Sequence, residues 1–325
     1  SAVLTRRDLL RQAGWLAGAG MLAPLARVAG QSVAGAPDAA PDVPISPAMA
    51  RLSAYMAEAR GRALPPEVIE TAKHHILDTV AAMISGAELP PGRAALRFAG
   101  EYMGEKAATV VASKALCGPI EAALANGTLA HSDETDDSHG PSRAHPGAAV
   151  IPAALAMGEQ YGIDGTHFLR AVVLGYDVGT RVLMAMGGPA YQTDTHRSTH
   201  ATAGTFCAAA AAGCAASLDA RQMRLLLDYA SQQSAGYGVW ARDTEHIEKA
   251  FVFGDMTARS GVTAALLVRA GWTGIEDVFS GPDNFFEAYR PDANPAGIAD
   301  ALGQRYEVMR TNIKKWSVGS PIQAP

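Results

Sequence analysis

From Pro47 onward, apolar positions recur every three to four residues between polar, glycine or proline breaks, the pattern of packed helices. It predicts helices over 48–60, from Pro65-Pro66 to near Gly86, and over 91–103, 119–131, 148–161, 168–186 and 204–218. In the second of these, Val68, Ala72, His75, Ile76, Thr79, Val80 and Met83 share helical spacing. Asp219, with Gln222 three residues on, forms a capping-box pattern that opens a helix running to about Ser234. Asp255 is placed to cap a helix over 256–271, and 275–289 reads as a helix broken at Gly281-Pro282. The segment 108–113 is a short β-type run, a surface strand or extended connector. No repeat of fixed period is present. The fold class is therefore all-α, a domain of roughly a dozen helices over 47–325.

Composition sharpens this picture. The chain has 325 residues, 48% of them hydrophobic but only 6% aromatic, so small residues dominate and helices can approach closely. A net charge of −5 without a basic stripe excludes nucleic acid as a partner. Cys117, Cys207 and Cys214 make no disulfide framework; Cys207 and Cys214 lie seven apart on one Ala-rich helix and read as small buried hydrophobes. Before the helical region, Thr5-Arg6-Arg7-Asp8-Leu9-Leu10-Arg11, a mildly apolar Gly/Ala run and Ser32-Val33-Ala34 follow the order of a twin-arginine signal peptide. That assigns 1–34 to a signal peptide and the proline-rich 35–46 to a linker, and it predicts a periplasmic or secreted protein. The run is too glycine-rich for a stable membrane span.

Candidate chemistry concentrates in four segments. In 126–147, Asp133, Glu134, Asp136 and Asp137 stand with His131, His139 and His145 between two apolar helices. Three uses are open for these groups: metal binding through His131, Asp136, His139 and His145, acid–base chemistry, or solvation of a surface loop, the last fitting Asp133 and Asp137 best. His145-Pro146-Gly147 abuts a helix N-terminus, whose N–H groups suit a carboxylate ligand. The second segment holds His196 and His200 before an Ala-rich helix, each a candidate acid or base. In the third, Lys249 sits beside Phe251 and Phe253, an anion-binding lysine or a solvated one. The fourth carries Lys314 and Lys315 beside Trp316.

Taken in order, these segments resemble the MmgE/PrpD family, which includes 2-methylcitrate dehydratases, cis-aconitate decarboxylases and iminodisuccinate epimerases. The likeness rests on Ala125-Asn126-Gly127 with His131, Asp136-Asp137-Ser138, His145-Pro146-Gly147, Gly175-Tyr176, Gly204-Thr205-Phe206-Cys207, Lys249 five residues before Gly254, Ala258-Arg259-Ser260-Gly261 and Lys314-Lys315-Trp316. It covers roughly 48–325. It implies a large helical domain with a smaller α+β lid domain, homodimers, an active site between the domains, and no metal or organic cofactor. It also implies His145, His200, Lys249, Glu134 and Ser138 as catalytic groups, with Asp136, Asp137, His139, Lys314 and Lys315 binding substrate. Glu134 replaces the family's usual aspartate, and Gly319 stands where the family has a histidine. The chain stops at Pro325, where family members continue into the lid, so the lid is expected to be largely absent and a separate lid chain is a possible partner.

The implied reaction is proton transfer at a carbon next to a carboxylate of a small di- or tricarboxylate, as in a dehydratase. Such a carbon is a weak acid, and preorganised cations such as Lys249 and Lys314 stabilise the charge that develops. The alternative reading is a non-catalytic exported protein that binds a carboxylate or pairs with the separate lid chain.

Overall fold

The computed structural model describes residues 44–323. The expected signal segment and nearly all of the linker lie outside the described residues.

Helix starts follow the proline pattern. Proline opens α1 (Pro47–Glu58), α2 (Pro66–Gly86), α3 (Pro90–Glu101), α4 (Pro119–His131), α5 (Pro146–Tyr161) and α7 (Pro189–Thr195), where its missing N–H costs nothing and its φ is already helical. Side-chain caps open the others. Asp164 caps α6 (Gly165–Ala185), Ser198 caps α8 (Thr199–Ala215), and the Asp219/Gln222 capping box opens α9 (Ala220–Gln233). Helix α10 (Ile247–Arg269) and the short α11 (Phe285–Tyr289) complete the set. The structure is thus mostly helical. Its strands are two-residue pairs: β1 (Ala108–Thr109) with β2 (Leu116–Cys117), and β3 (Ser138–His139) with β4 (Thr311–Asn312), both antiparallel.

Helix α8 is the centre of the molecule. Every one of its residues is buried, because small side chains on all faces let α5, α6, α9 and α10 pack around it. A close crossing on α8 is at Gly179 of α6, where a Cβ would lie 2.2 Å from the Ala203 carbonyl oxygen. The three cysteines are buried and unbridged, as their spacing implied. Helix α10 has the length and apolar composition of a membrane span, yet most of it is packed inside the protein.

Two expected elements differ. Asp255 does not cap a helix. It lies inside α10, whose residues Phe251–Asp255 form a π turn, and its carboxylate accepts a hydrogen bond from Thr128 of α4 at 3.1 Å. The expected helix over 275–289 survives only as α11. Asp277 binds the backbone N–H groups of Ser46 and Phe279 and so holds its segment in a loop, and Asn284 caps a fresh start at Phe285.

The C-terminal segment is fastened by buried charge. Arg181 of α6 donates to the carbonyl oxygens of Asp300 and Arg305 and lies 3.5 Å from the Glu307 carboxylate. His139 Nε2 meets the same carboxylate at 3.2 Å. Arg181, Glu307 and His139 side chains are all fully buried. This anchor sets the β3–β4 pairing, which carries the residues after Asn312 back to the acidic loop 132–137.

Candidate active site

Six separate stretches converge on one cluster. Helix α4 delivers His131 from its last turn, and the following loop supplies Glu134 and Asp136. His145 precedes Pro146 at the start of α5, and His200 lies in the first turn of α8. The start of α10 brings His246, Lys249 and, from its π turn, Phe253. Lys314 arrives from the strand pairing of β4 with β3. Trp240, in the 3-10 turn Gly238–Arg242, closes one side.

Phe253 is the hub of this cluster. Its ring stacks on His200 at 3.8 Å between centroids and also meets His131 at 4.4 Å, His145 at 5.6 Å and Trp240 at 4.7 Å. His145 and His200 stack on each other at 4.8 Å. A π turn widens the helix by one residue, which re-aims the side chains around it. Here that turn separates Lys249, at the rim, from Phe253, at the floor.

The polar groups are ordered around Asp136. Its carboxylate accepts from His131 Nδ1 at 2.9 Å and from Lys314 Nζ at 3.2 Å, and His145 Nδ1 lies 3.7 Å away. Lys314 also donates to the Glu134 carbonyl oxygen at 2.9 Å. Burial opposes ionisation of Asp136, but the Lys314 ammonium and the hydrogen bond from His131 outweigh it and hold the carboxyl far below the usual range. Lys249 pairs with the Glu134 carboxylate, 3.5 Å from which lies His246 Nδ1. Burial again opposes the charge of Glu134, and the Lys249 hydrogen bond prevails and lowers its pKa. Glu134 and His246 both adopt left-handed backbone conformations, with φ of 60° and 63°, and this turns their side chains toward each other.

The imidazoles are kept neutral. Burial pushes His131 down to about 4 and lowers His145 and His200 as well. His145 Nδ1 is 2.5 Å from the Asp137 carbonyl oxygen. A carbonyl only accepts, so Nδ1 carries the proton and Nε2 keeps its lone pair. Three buried ring nitrogens of this cluster, His131 Nε2, His200 Nδ1 and Trp240 Nε1, find no partner among the described residues. Buried polar atoms are nearly always satisfied, so three unpartnered ring nitrogens in one place set this cluster apart.

The residues singled out in the sequence divide between the cluster and its surroundings. His145, His200, Lys249, Glu134, Asp136 and Lys314 assemble. Ser138 lies beside them and shares a hydrogen bond with Ser320 at 2.8 Å. Asp137 is not a solvated loop acid. Its fully buried carboxylate accepts from Tyr176 at 2.5 Å and from Gly147 N–H at 2.9 Å, and it meets His75 Nδ1 at 2.7 Å. His139 is likewise turned from the cluster, because successive side chains on a strand point to opposite faces. Both its ring nitrogens are engaged, by Ser142 and Glu307, so the four-residue metal set with His131, Asp136 and His145 does not form. Lys315 is exposed and lies over the Trp316 ring, and His196 is exposed beyond the end of α7. Sequence reasoning missed His246, Trp240 and the central place of Phe253. His246 had a signal: three residues before Lys249, it is one helical turn away.

Fold and site together define a helical domain with an inward-facing histidine, lysine and carboxylate cluster. The chain belongs to the MmgE/PrpD family: the MmgE/PrpD N-terminal domain matches residues 50–297. Among similar proteins is the cis-aconitate decarboxylase-like protein oryM of Aspergillus oryzae, 27% identical over 82% of this chain and 57% of its own length. Cis-aconitate decarboxylase of Aspergillus terreus is 26% identical over 66% of this chain and 44% of its own length. The human cis-aconitate decarboxylase is 28% identical, over 72% and 49% respectively. The chain spans about half the length of the curated relatives it matches.

Proposed function

We propose that the cluster performs cofactor-independent lyase or isomerase chemistry on a small di- or tricarboxylate, by proton transfer at a carbon next to a carboxylate. The observation that carries this reading is the convergence of neutral imidazoles with unpartnered nitrogens and two ammonium groups in one buried site. A neutral imidazole with its lone pair inward is a base, and a nearby ammonium stabilises the charge left when a carbon loses a proton. His145 is the base of choice, since the Asp137 carbonyl fixes its tautomer. His200, stacked against it, is the second acid–base group.

The two lysines divide the work by burial. The Lys314 side chain is only 1% exposed and donates to Asp136 and the Glu134 carbonyl, so it serves to hold Asp136 ionised and the loop in place. Lys249 is 19% exposed and lies 5.6 Å over both Trp240 and Phe253, so it is the ammonium that a substrate carboxylate reaches. Glu134 then releases Lys249 to the incoming anion or shares it.

Dehydration and decarboxylation both fit this arrangement, and the names of the similar proteins favour the second as much as the family's dehydratases favour the first. An export location, a homodimer and a separate lid chain remain parts of the same proposal. The test is turnover of a panel of citrate-like hydroxy acids and unsaturated tricarboxylates, following alkene formation and CO2 release separately. His145→Ala is expected to lower kcat by about a hundred- to ten-thousandfold. Unchanged turnover of every accepted substrate in that variant refutes the assignment.

A further inference from the structure

The side of the cluster formed by His131, Glu134 and His246 has a second chemistry. One ligating atom from each residue lies within 4.8 Å of those of the other two. His246 Nδ1 and Glu134 Oε1 are already 3.5 Å apart, and two ligands on a tetrahedral zinc with bonds near 2.1 Å sit about 3.4 Å apart.

Both imidazoles are set in the ligating tautomer by acceptors behind them. Asp136 takes the proton of His131 Nδ1 at 2.9 Å, which leaves the lone pair on Nε2. That nitrogen is fully buried and has no partner among the described residues. The His131 carbonyl oxygen accepts from His246 Nε2 at 3.1 Å, which leaves the lone pair on Nδ1, the atom facing Glu134. A carboxylate or carbonyl behind each ligating histidine is the usual support of a protein metal site. Two histidines and one carboxylate also form a donor set that borderline divalent cations prefer.

One group stands against a cation here: the Lys249 ammonium occupies the same Glu134 oxygen. We infer that His131, Glu134 and His246 form a site for a zinc-class divalent cation, and that the cation and the Lys249–Glu134 ion pair exclude each other. The metal is then an antagonist of the site rather than its cofactor. Entry of the cation requires Lys249 to swing off Glu134, and an anion bound to Lys249 opposes that movement. Inhibition of turnover by the metal rests on the proposed catalytic reading; binding does not.

The experiment is calorimetric titration of the purified full chain with Zn2+, repeated with Co2+ to read ligand-field bands in the visible. One equivalent is expected to bind. Glu134→Gln and His246→Ala, each checked for a native melting profile, are expected to weaken it at least tenfold, on the scale of the loss of a ligand or its support. Lys249→Met is expected to tighten it about fivefold or more, since no ion pair must be broken. His196→Ala, whose imidazole lies outside the cluster, is expected to change nothing. Stoichiometric binding that His246→Ala and Glu134→Gln leave unchanged, or no binding in either wild type or Lys249→Met, overturns the inference. Binding with these variant effects but no effect on turnover supports the site and counts against the catalytic reading of Lys249.

Discussion

His145 shows how one backbone contact sets a side chain's chemistry. Its Nδ1 proton is spent on the Asp137 carbonyl, and burial lowers its pKa from the ordinary 6.5. A base is lost when it is protonated, so a lowered pKa carries activity further into acid. The acid limb of the pH profile of kcat/KM is expected to have its midpoint below 6.5. A midpoint above 7 contradicts His145 as the base. Asp137 illustrates the opposite lesson. In the sequence it is one of four acids in a loop, equally suited to solvent or substrate. In the fold its carboxylate ties β3 to α2, α5 and α6 through His75, Gly147 and Tyr176. Nothing in its neighbours along the chain distinguishes it from Asp136, since the difference is which way each side chain leaves the loop.

At the scale of elements, the approach of α4 to the π turn of α10 places Lys249, the ammonium proposed to meet the substrate. The two backbones meet at Gly127 and Gly254, where a Cβ on Gly254 would stand 2.0 Å from the Gly127 carbonyl oxygen. No side chain can yield there, because the obstacle is backbone. Gly254→Ala is expected to destabilise the protein by about 1–3 kcal/mol, read as a lowered denaturant midpoint, and to weaken substrate binding through displacement of Lys249. Full stability with full activity speaks against this crossing as the positioning device. Glycine spacing was visible in the sequence, but its partner 127 residues away was not. The π turn was equally hidden, since nothing in Phe251–Asp255 separates a widened helix from a fresh start capped by Asp255.

For the whole molecule, the buried Arg181–Glu307–His139 group fastens the segment that carries Lys314 to the rest. Burial opposes the charge of Glu307, but His139 and Arg305 hold its pKa down to about 2, against 4.5 ordinarily. A depressed carboxyl stabilises the fold above its unfolded pKa. That contribution is lost as pH falls from about 4.5 to about 2. Glu307→Ala strands a buried guanidinium and is expected to cost about 3–5 kcal/mol at neutral pH. The gap between wild type and variant in chemical denaturation should narrow across that acid window. A gap that stays constant down to pH 3 rules out Glu307 ionisation as its source.

Local rules account for what the chain determined by itself. Proline starts, Asp219 with Gln222, and helical spacing depend on neighbours a few residues apart, so all-α architecture, most helix limits and the buried cysteines were legible. The motifs His131, His145, His200, Lys249 and Lys314 were legible as residues. Their division of labour was not. Whether a histidine is a base, a ligand or a strut depends on which nitrogen is taken, and the takers are the Asp137 carbonyl, Asp136 and the His131 carbonyl. Lys314 reaches Asp136 only because Ser138–His139 pairs with Thr311–Asn312, and Lys249 meets Glu134 only because α10 crosses α4. Those contacts join residues more than a hundred positions apart. Only the tertiary structure decides them, because burial, tautomer and charge pairing are properties of the neighbours in space.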